Sequence, residues 1–154
     1  MKKKVIVWLC VILLVLAAVL TYSYFRVDGR ELRFIADISE DYTATVTKTH
    51  ASLEYRETEY VLNGEQILQL QALILDSSFT RRLSPNYSYS GLRDTYQIVL
   101  ELTDPQGQQQ DFIILYCVED LYLSISAPYD GVHLTLKINN PQWHAELDAI
   151  LSGS

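Results

Sequence analysis

The sequence predicts an α+β protein, with an N-terminal transmembrane helix followed by a two-layer domain of antiparallel sheet packed against two helices. Three observations lead to this prediction. Residues 5–25 form an almost uninterrupted apolar run. Two later segments alternate apolar and polar residues on either side of turns, as half-buried antiparallel strands do. Two further segments repeat apolar residues at helical spacing, so that strands and helices would share one core.

The first element is the apolar run. Three lysines at positions 2–4 precede it, and at about 1.5 Å per residue it would extend roughly 30 Å, the thickness of a bilayer's hydrocarbon core. The lysines favour the cytoplasmic side, and Tyr22, Tyr24 and Phe25 are placed for an aromatic belt on the other side. Residues 1–26 are therefore interpreted as the cytoplasmic start and signal-anchor of a single-pass cell-membrane protein with an extracytoplasmic remainder.

A cleaved secretory signal is the alternative interpretation of the same run. Such signals have an apolar core of about 7 to 15 residues followed by small residues at a cleavage site. Here the core is at the long end of that range, and Thr21-Tyr22-Ser23 is the best available site. The sequence favours retention of the segment as an anchor.

The composition of the remainder excludes several classes of function. All 19 acidic residues follow the apolar run, whereas three of the 12 basic residues precede it, which leaves the exported part at −10. A domain this acidic does not favour nucleic acid as a partner. Only Cys117 lies after the run, so neither a disulfide within the domain nor a cysteine-based metal site is expected.

The first half of the exported part is predicted in four pieces. Residues 27–31 resemble a short polar tether, and the domain proper is assigned to residues 32–154. Thr, Tyr and Val are frequent over 32–61, which indicates two or three strands. Asn63 and Gln66 have the spacing of a capping box for a helix over about 64–76. Residues 77–94 contain Pro, Gly and Asn without an apolar period, and predict a long loop.

Two hairpins and a helix are predicted in the second half. A type I turn at 104–107, with Gly107 at positive φ, places Leu100 opposite Phe112. The same register puts Ile98 opposite Ile114 and Tyr96 opposite Tyr116. In the second hairpin one face is expected to be apolar and the other polar. The apolar pairs are Leu121–Ile138, Leu123–Leu136 and Ile125–Leu134, and the polar pairs are Tyr122–Lys137, Ser124–Thr135 and Ser126–His133. Asn140 and Pro141 are expected to start a final helix that carries Trp143, Leu147, Ile150 and Leu151 on one face.

No catalytic motif is found, and no catalytic residue, cofactor or metal site is assigned. His144 and Asp148 are four residues apart on the final helix, which is half of a nucleophilic triad, but an exposed structural pair is the favoured interpretation. His50, His133 and His144 lie on separate elements. Cys117 is interpreted as a small buried apolar residue. Glu57 and Glu59 share one strand face, which a solvated sheet surface explains without catalysis.

The strongest local signal for binding is in the 77–94 loop. Three of the nine basic residues that follow the apolar run lie there among aromatic side chains, and arginine with aromatic residues is typical of binding surfaces. The candidate binding residues are Phe79, Arg81, Arg82, Tyr87, Tyr89 and Arg93. The alternative is that Arg81 and Arg82 complement the dipole of the preceding helix.

The layout also resembles a known group of proteins. A basic start, an apolar segment, a short tether, N-G-E-Q-I at a helix start and N-P-Q-W before a last helix are similar to small membrane-anchored proteins of Gram-positive bacteria grouped as families of unknown function. The resemblance implies location and fold. The expected function is a non-enzymatic module, anchored in the membrane through residues 5–25, that binds a protein or envelope component; the alternative is an extracytoplasmic hydrolase using carboxylates or His144.

Overall fold

The computed structural model describes residues 2–39, 41–50, 56–82, 95–103, 109–118, 121–127 and 132–153. It begins with helix α1, Lys2–Phe25. Lys4–Phe25 is long and apolar enough to cross a membrane, and none of its apolar window is buried within the protein. The predicted N-terminal span is therefore present as a helix, although a signal sequence would satisfy the same criteria.

Eight strands, in the described part of the chain, form one antiparallel sheet. They are β1 Arg26–Asp28, β2 Thr43–His50, β3 Arg56–Leu62, β4 Ser78–Arg81, β5 Thr95–Thr103, β6 Gln109–Cys117, β7 Tyr122–Ala127 and β8 Val132–Ile138. Their spatial order is β1-β4-β8-β7-β6-β5-β2-β3. Strands β5 to β8 form a meander in the middle, with β1 and β4 on one side of it and β2 and β3 on the other. This α+β architecture confirms the predicted fold class.

The helices of the domain lie on one face of the sheet. They are α2 Arg33–Ala36, α3 Gly64–Leu75 and α4 Trp143–Ser152, together with a 3₁₀ turn at Gly29–Glu31. Helix α3 joins β3, at one edge of the sheet, to β4, next to the other edge, so it crosses the sheet, and it packs against α4. We call the helix-covered side the inner face and the opposite side the outer face.

The core lies between the inner face and these helices. Its largest fully buried side chains include Trp143 from α4, Tyr96 and Tyr116 from the meander, and Phe79 from β4. Ile67, Leu70 and Ile74 from α3 and Leu147 and Leu151 from α4 complete the layer. Each fully buried aliphatic side chain stabilises the fold by roughly 1.5–3 kcal/mol relative to exposure.

The register predicted for both hairpins is confirmed. Leu100 pairs with Phe112, Ile98 with Ile114 and Tyr96 with Tyr116. In the second hairpin Leu123 pairs with Leu136 and Ile125 with Leu134. Gly107 and the turn at 104–107 lie outside the described residues. The alternation of apolar residues was sufficient to define the register because a slip of one residue would turn each inner side chain outward.

Both predicted helices are present, and one begins later than expected. The side chain of Asn63 accepts from the N–H of Gln66 at 2.9 Å, and the Gln66 side chain accepts from the N–H of Asn63 at 3.0 Å, which confirms the capping box of α3. Helix α4 begins at Trp143, because Asn140 accepts from the N–H of Gln142 at 2.9 Å and holds Asn140 and Pro141 in a turn before the helix.

Two segments differ from the sequence-based expectation. Residues 27–31 are not a separate tether: Val27 is buried and pairs with Phe79, and Gly29 donates its N–H to Ser77 O at 2.8 Å. Within the expected 77–94 loop, Ser78–Arg81 form β4 between β1 and β8. Strands β1 and β4 are short and polar on their outer sides, so the sequence shows little apolar alternation in either segment. Residues 83–94 lie outside the described residues.

Candidate functional site

Two groups of side chains have the chemistry to form a site: a polar cluster between α4 and the sheet, and a basic and aromatic surface beside α1. The polar cluster consists of Lys48, Tyr96, His144 and Asp148. Lys48 and Tyr96 are paired neighbours on the inner faces of β2 and β5, and His144 and Asp148 lie one turn apart on α4. Because α4 crosses above the end of these strands, residues separated by 100 positions meet.

Asp148 is the centre of this polar cluster. Its Oδ1 accepts a hydrogen bond from the Tyr96 hydroxyl at 2.7 Å and forms an ion pair with Lys48 Nζ at 3.2 Å. Lys48 Nζ also lies 4.8 Å from the centre of the Tyr96 ring. Burial acts to raise the pKa of Asp148, but the hydrogen bonds from Tyr96 and Lys48, with the charges of Lys48 and His144, outweigh it and hold that pKa below its usual range. The carboxylate is therefore ionised and anchored at neutral pH.

The two tyrosines behind Asp148 are held in their neutral form. Burial, followed by the hydrogen bond and negative charge of Asp148, raises the pKa of Tyr96 far above its usual range. Burial chiefly raises the pKa of Tyr116 to about 12. The Tyr116 ring packs edge-to-face on Trp143 with centroids 4.6 Å apart. Neither phenol is a general base or nucleophile near pH 7.

The His144–Asp148 pair is more buried than the sequence indicated, but its geometry is not that of a catalytic relay. His144 Nε2 is 3.5 Å from Asp148 Oδ2, a distance too long for a strong charge-assisted hydrogen bond. The other ring nitrogen, Nδ1, is buried and contacts no hydrogen-bond partner among the described residues. In a triad that nitrogen would face the nucleophile; among the described residues the cluster connects α4 to the sheet through the contacts of Asp148 with Tyr96 and Lys48.

The basic and aromatic surface beside α1 contains the arginines singled out from the sequence. The Arg81 guanidinium lies 5.0 Å from the Tyr24 ring at the end of α1, and its Nε is buried with no partner in the described chain. Arg82 lies 4.2 Å from the Tyr122 ring. Exposed Arg26 belongs to the adjacent strand and pairs with Thr80.

The structure separates the predicted binding residues into three groups. Arg81 lies beside α1 on the inner side of β4, next to Tyr24, and Arg82 lies against Tyr122, an outer-face residue of β7; the sequence associated neither tyrosine with these arginines. Phe79 is fully buried in the core; its assignment to a binding surface is wrong, because it lies on the inner face of β4. Tyr87, Tyr89 and Arg93 are outside the described residues.

Sequence reasoning missed Lys48 and Tyr96 as partners of Asp148. One signal was present, since Ala44, Val46 and Lys48 share the inner side of β2, and a lysine continuing an apolar face implies a buried carboxylate partner. Cys117 is half-buried on the outer face with Leu115 and Ile113.

Metal ligands do not converge within the described residues. No group of three or more His, Cys, Asp or Glu side chains in that part of the chain is arranged to hold an ion. His133 on β8 and His144 on α4 belong to opposite faces of the sheet.

Comparison with known proteins identifies no relative: no family model, curated protein or solved structure matches this chain.

Proposed function

We propose that this chain is a single-pass membrane protein whose extracytoplasmic domain binds a protein partner anchored in the same membrane. The main support is the outer face of the eight-stranded sheet, which no described helix covers. The proposal includes retention of α1 as an anchor, with the lysines at positions 2–4 on the cytoplasmic side by the positive-inside bias. The resemblance to small membrane-anchored Gram-positive proteins agrees with it in layout.

The outer face has the dimensions of a protein-binding surface. Strands about 4.8 Å apart and roughly 20 Å long, in an eight-stranded sheet, give an area of roughly 600–800 Å². One partner in a standard protein complex contributes about 800 Å². Val61 and Ile113 expose 76% and 37% of their surface on this face, and the threonines at positions 43, 45, 47 and 49 of β2 lie between them. Such a mixture of apolar contacts and hydroxyl groups is typical of non-obligate interfaces.

Charge is unevenly distributed across the outer face. Glu57, Glu59 and Glu101 lie on the β3, β2 and β5 side, whereas Arg26 and Lys137, with one carboxylate, Asp28, lie on the β1, β4 and β8 side. All six are exposed. A partner with the opposite distribution would be oriented as it approached, since complementary charges increase the association rate and select the orientation.

The hydrolase alternative has less support. Its residues would have to come from the cluster of Lys48, Tyr96, His144 and Asp148, where the carboxylate is already bound by a hydroxyl and an ammonium group. Two surface grooves, of about 430 Å³ between α3 and α4 and about 350 Å³ beside α1, contain none of these four residues. Groups with shifted pKa values mark an active site when they face a pocket, and neither of these two grooves contains them.

A matched pair of surface substitutions tests the proposal. Ile113→Arg places a charge on the outer face, and Leu68→Arg places one on α3 on the opposite side, at 37% and 41% exposure respectively. Photo-crosslinking from Gln97, an exposed outer-face residue of β5, in intact cells should capture one membrane protein. The purified pair should then bind at least about tenfold more weakly with Ile113→Arg and unchanged with Leu68→Arg, because a charge buried in an interface core costs more than about 1.4 kcal/mol. Equal binding by both variants, or crosslinking from Gln69 on α3 instead, would contradict the proposal.

A further inference from the structure

We propose that the groove where α1 meets the sheet binds the phosphate of an anionic lipid headgroup in the outer leaflet. This junction groove has a volume of about 350 Å³. Its lining residues come from the end of α1, from β1 and β4, and from the residue after β8: Tyr22, Phe25, Arg26, Ser78, Thr80 and Asn139. The inference rests on the membrane anchoring proposed above but not on the protein partner.

The position of the junction groove along the span places it at headgroup level. Lys4–Phe25 has the length of a membrane span, and Arg26 is the next residue. One helical turn rises about 5.4 Å, so every part of the groove contributed by α1 lies within about one turn of the end of the apolar segment. Phosphate groups lie at this depth, just outside the hydrocarbon core. No spacer moves the groove away, because β1 starts at Arg26 and pairs at once with β4.

The junction groove presents hydrogen-bond donors suited to a phosphate. Arg26 is exposed, and its Nη1 donates to the Tyr22 hydroxyl at 3.3 Å; its guanidinium has five N–H groups in all. Thr80 donates its hydroxyl to Asn139 Oδ1 at 3.1 Å, which orients the amide so that its NH₂ group is a further donor. Arginine with hydroxyl and amide donors is the usual set for binding phosphate oxygens.

A second arginine adds positive charge near the end of α1, on the inner face of β4, opposite to Arg26 and Thr80. Arg81 stacks on Tyr24 at 5.0 Å, and its buried Nε has no partner among the described residues. The only carboxylate on β1, Asp28, accepts from the N–H of Arg30 at 3.0 Å and so caps the following turn. The part of the chain that follows the apolar run has a net charge of −10, so anionic lipid would repel most of the domain. The end that carries Arg26 and Arg81 would therefore face the bilayer.

Lipid retention by the full-length chain tests the assignment. The protein would be reconstituted in nanodiscs of phosphatidylcholine with and without phosphatidylglycerol, released, and examined by native mass spectrometry. We expect it to retain one phosphatidylglycerol in preference to phosphatidylcholine. Arg26→Gln and Arg81→Gln should each lower the retained fraction roughly fivefold, the effect of about one basic residue at an anionic surface. The matched control is Arg33→Gln, which removes an exposed arginine from α2 and should leave retention unchanged.

Further measurements separate the remaining outcomes. Arg81→Lys keeps the charge and should keep most of the bound lipid, which gives a result even if Arg81→Gln fails to fold. Equal retention of the two lipids by the wild type would overturn the proposal. It would also be overturned if a variant that combines Arg26→Gln and Arg81→Gln retained as much phosphatidylglycerol as the wild type. Displacement by millimolar inorganic phosphate would assign the groove to a free ion, and displacement by polyglutamate would assign it to an acidic protein segment. If α1 is a cleaved signal and not an anchor, the mature chain from cells will start at Tyr24 or nearby and will be recovered in the soluble fraction, a failure distinct from incorporation without lipid selectivity.

Discussion

Asp148 is the residue on which the contacts between α4 and the sheet converge. It accepts from Tyr96 at 2.7 Å and from Lys48 at 3.2 Å, and lies 3.5 Å from His144. The Lys48 side chain is only 15% exposed, so removal of the carboxylate would leave an ammonium group largely surrounded by protein. A buried charge without its partner is more costly than the loss of a surface ion pair.

Substitutions in this cluster distinguish a structural role from a catalytic one. Asp148→Asn should lower the free energy of unfolding by about 1–2 kcal/mol, a value reduced for the partial exposure of the carboxylate. His144→Gln should lower it by less, roughly 0.5–1 kcal/mol, because its contact with Asp148 is long at 3.5 Å and the main loss is the edge contact of its ring with Tyr96. Urea unfolding monitored by the fluorescence of buried Trp143 measures both. A larger effect of His144→Gln than of Asp148→Asn would contradict this description of the cluster.

The shifted pKa values predict how stability depends on pH. The pKa of Asp148 is lowered in the folded state, so its contribution is complete above the unfolded value near 4 and is lost as the pH falls through the lower folded value. The pKa of Tyr96 is raised, so its contribution is complete below about 10 and is lost as the pH rises further. Urea midpoints measured across the pH range should decline less steeply above pH 10 for Tyr96→Phe than for the wild type. Parallel alkaline declines would show that Tyr96 is not coupled to folding.

At the scale of elements, short segments that look like connections are built into the sheet. Strand β1 directly follows α1, and Gly29 after it approaches the C-terminal end of α3 so closely that a Cβ would collide with the carbonyl oxygens of Ile74 and Leu75. Gly29 is therefore required by the close approach of two backbones. Farther along the chain, the Gln71 amide of α3 donates to the carbonyl oxygens of Ile35, at 2.9 Å, and Ile38, at 2.8 Å, and holds the segment that follows the turn.

Gly29→Ala tests whether this segment is structural. The added methyl group must displace the backbone at the end of α3, which should cost roughly 1–3 kcal/mol, the usual range for overpacking. Gly153→Ala is the control, because nothing lies within 4 Å of its Cβ position, although its φ of +69° carries a smaller backbone cost. Thermal unfolding of both variants measures the difference. A flexible tether at residues 27–31 would instead tolerate Gly29→Ala with no loss.

These elements show which parts of the fold could be predicted from the sequence. The pairing of Leu100 with Phe112 followed from alternation because the period of a strand is encoded by adjacent residues. Strand β4 was missed because four residues with one buried side chain, Phe79, make no recognisable period. The meeting of Lys48 with Asp148 was missed because it depends on where α4 crosses the sheet, which no local pattern specifies. The arginines beside α1 were identified by composition, but their contacts with Tyr24 and Tyr122 required the tertiary structure.

At the scale of the whole molecule, α1 is connected directly to the sheet domain. Arg26 extends the end of α1 into the sheet, and Arg81 stacks on Tyr24. Tyr22 and Phe25 line the junction groove, so cleavage after residue 23 would remove part of its wall. The proposed orientation of the outer face toward a partner in the same membrane depends on this direct connection, because a flexible link would let the domain rotate freely.

The mass of the mature protein in the membrane fraction tests this proposal most directly. If α1 is the anchor, intact-mass measurement will give a chain that retains residues 2–25 and that remains with the membrane after washing at high pH. A mature chain that starts at Tyr24 or nearby, recovered in the soluble fraction, would show that the apolar segment is a cleaved signal and would contradict the anchored account.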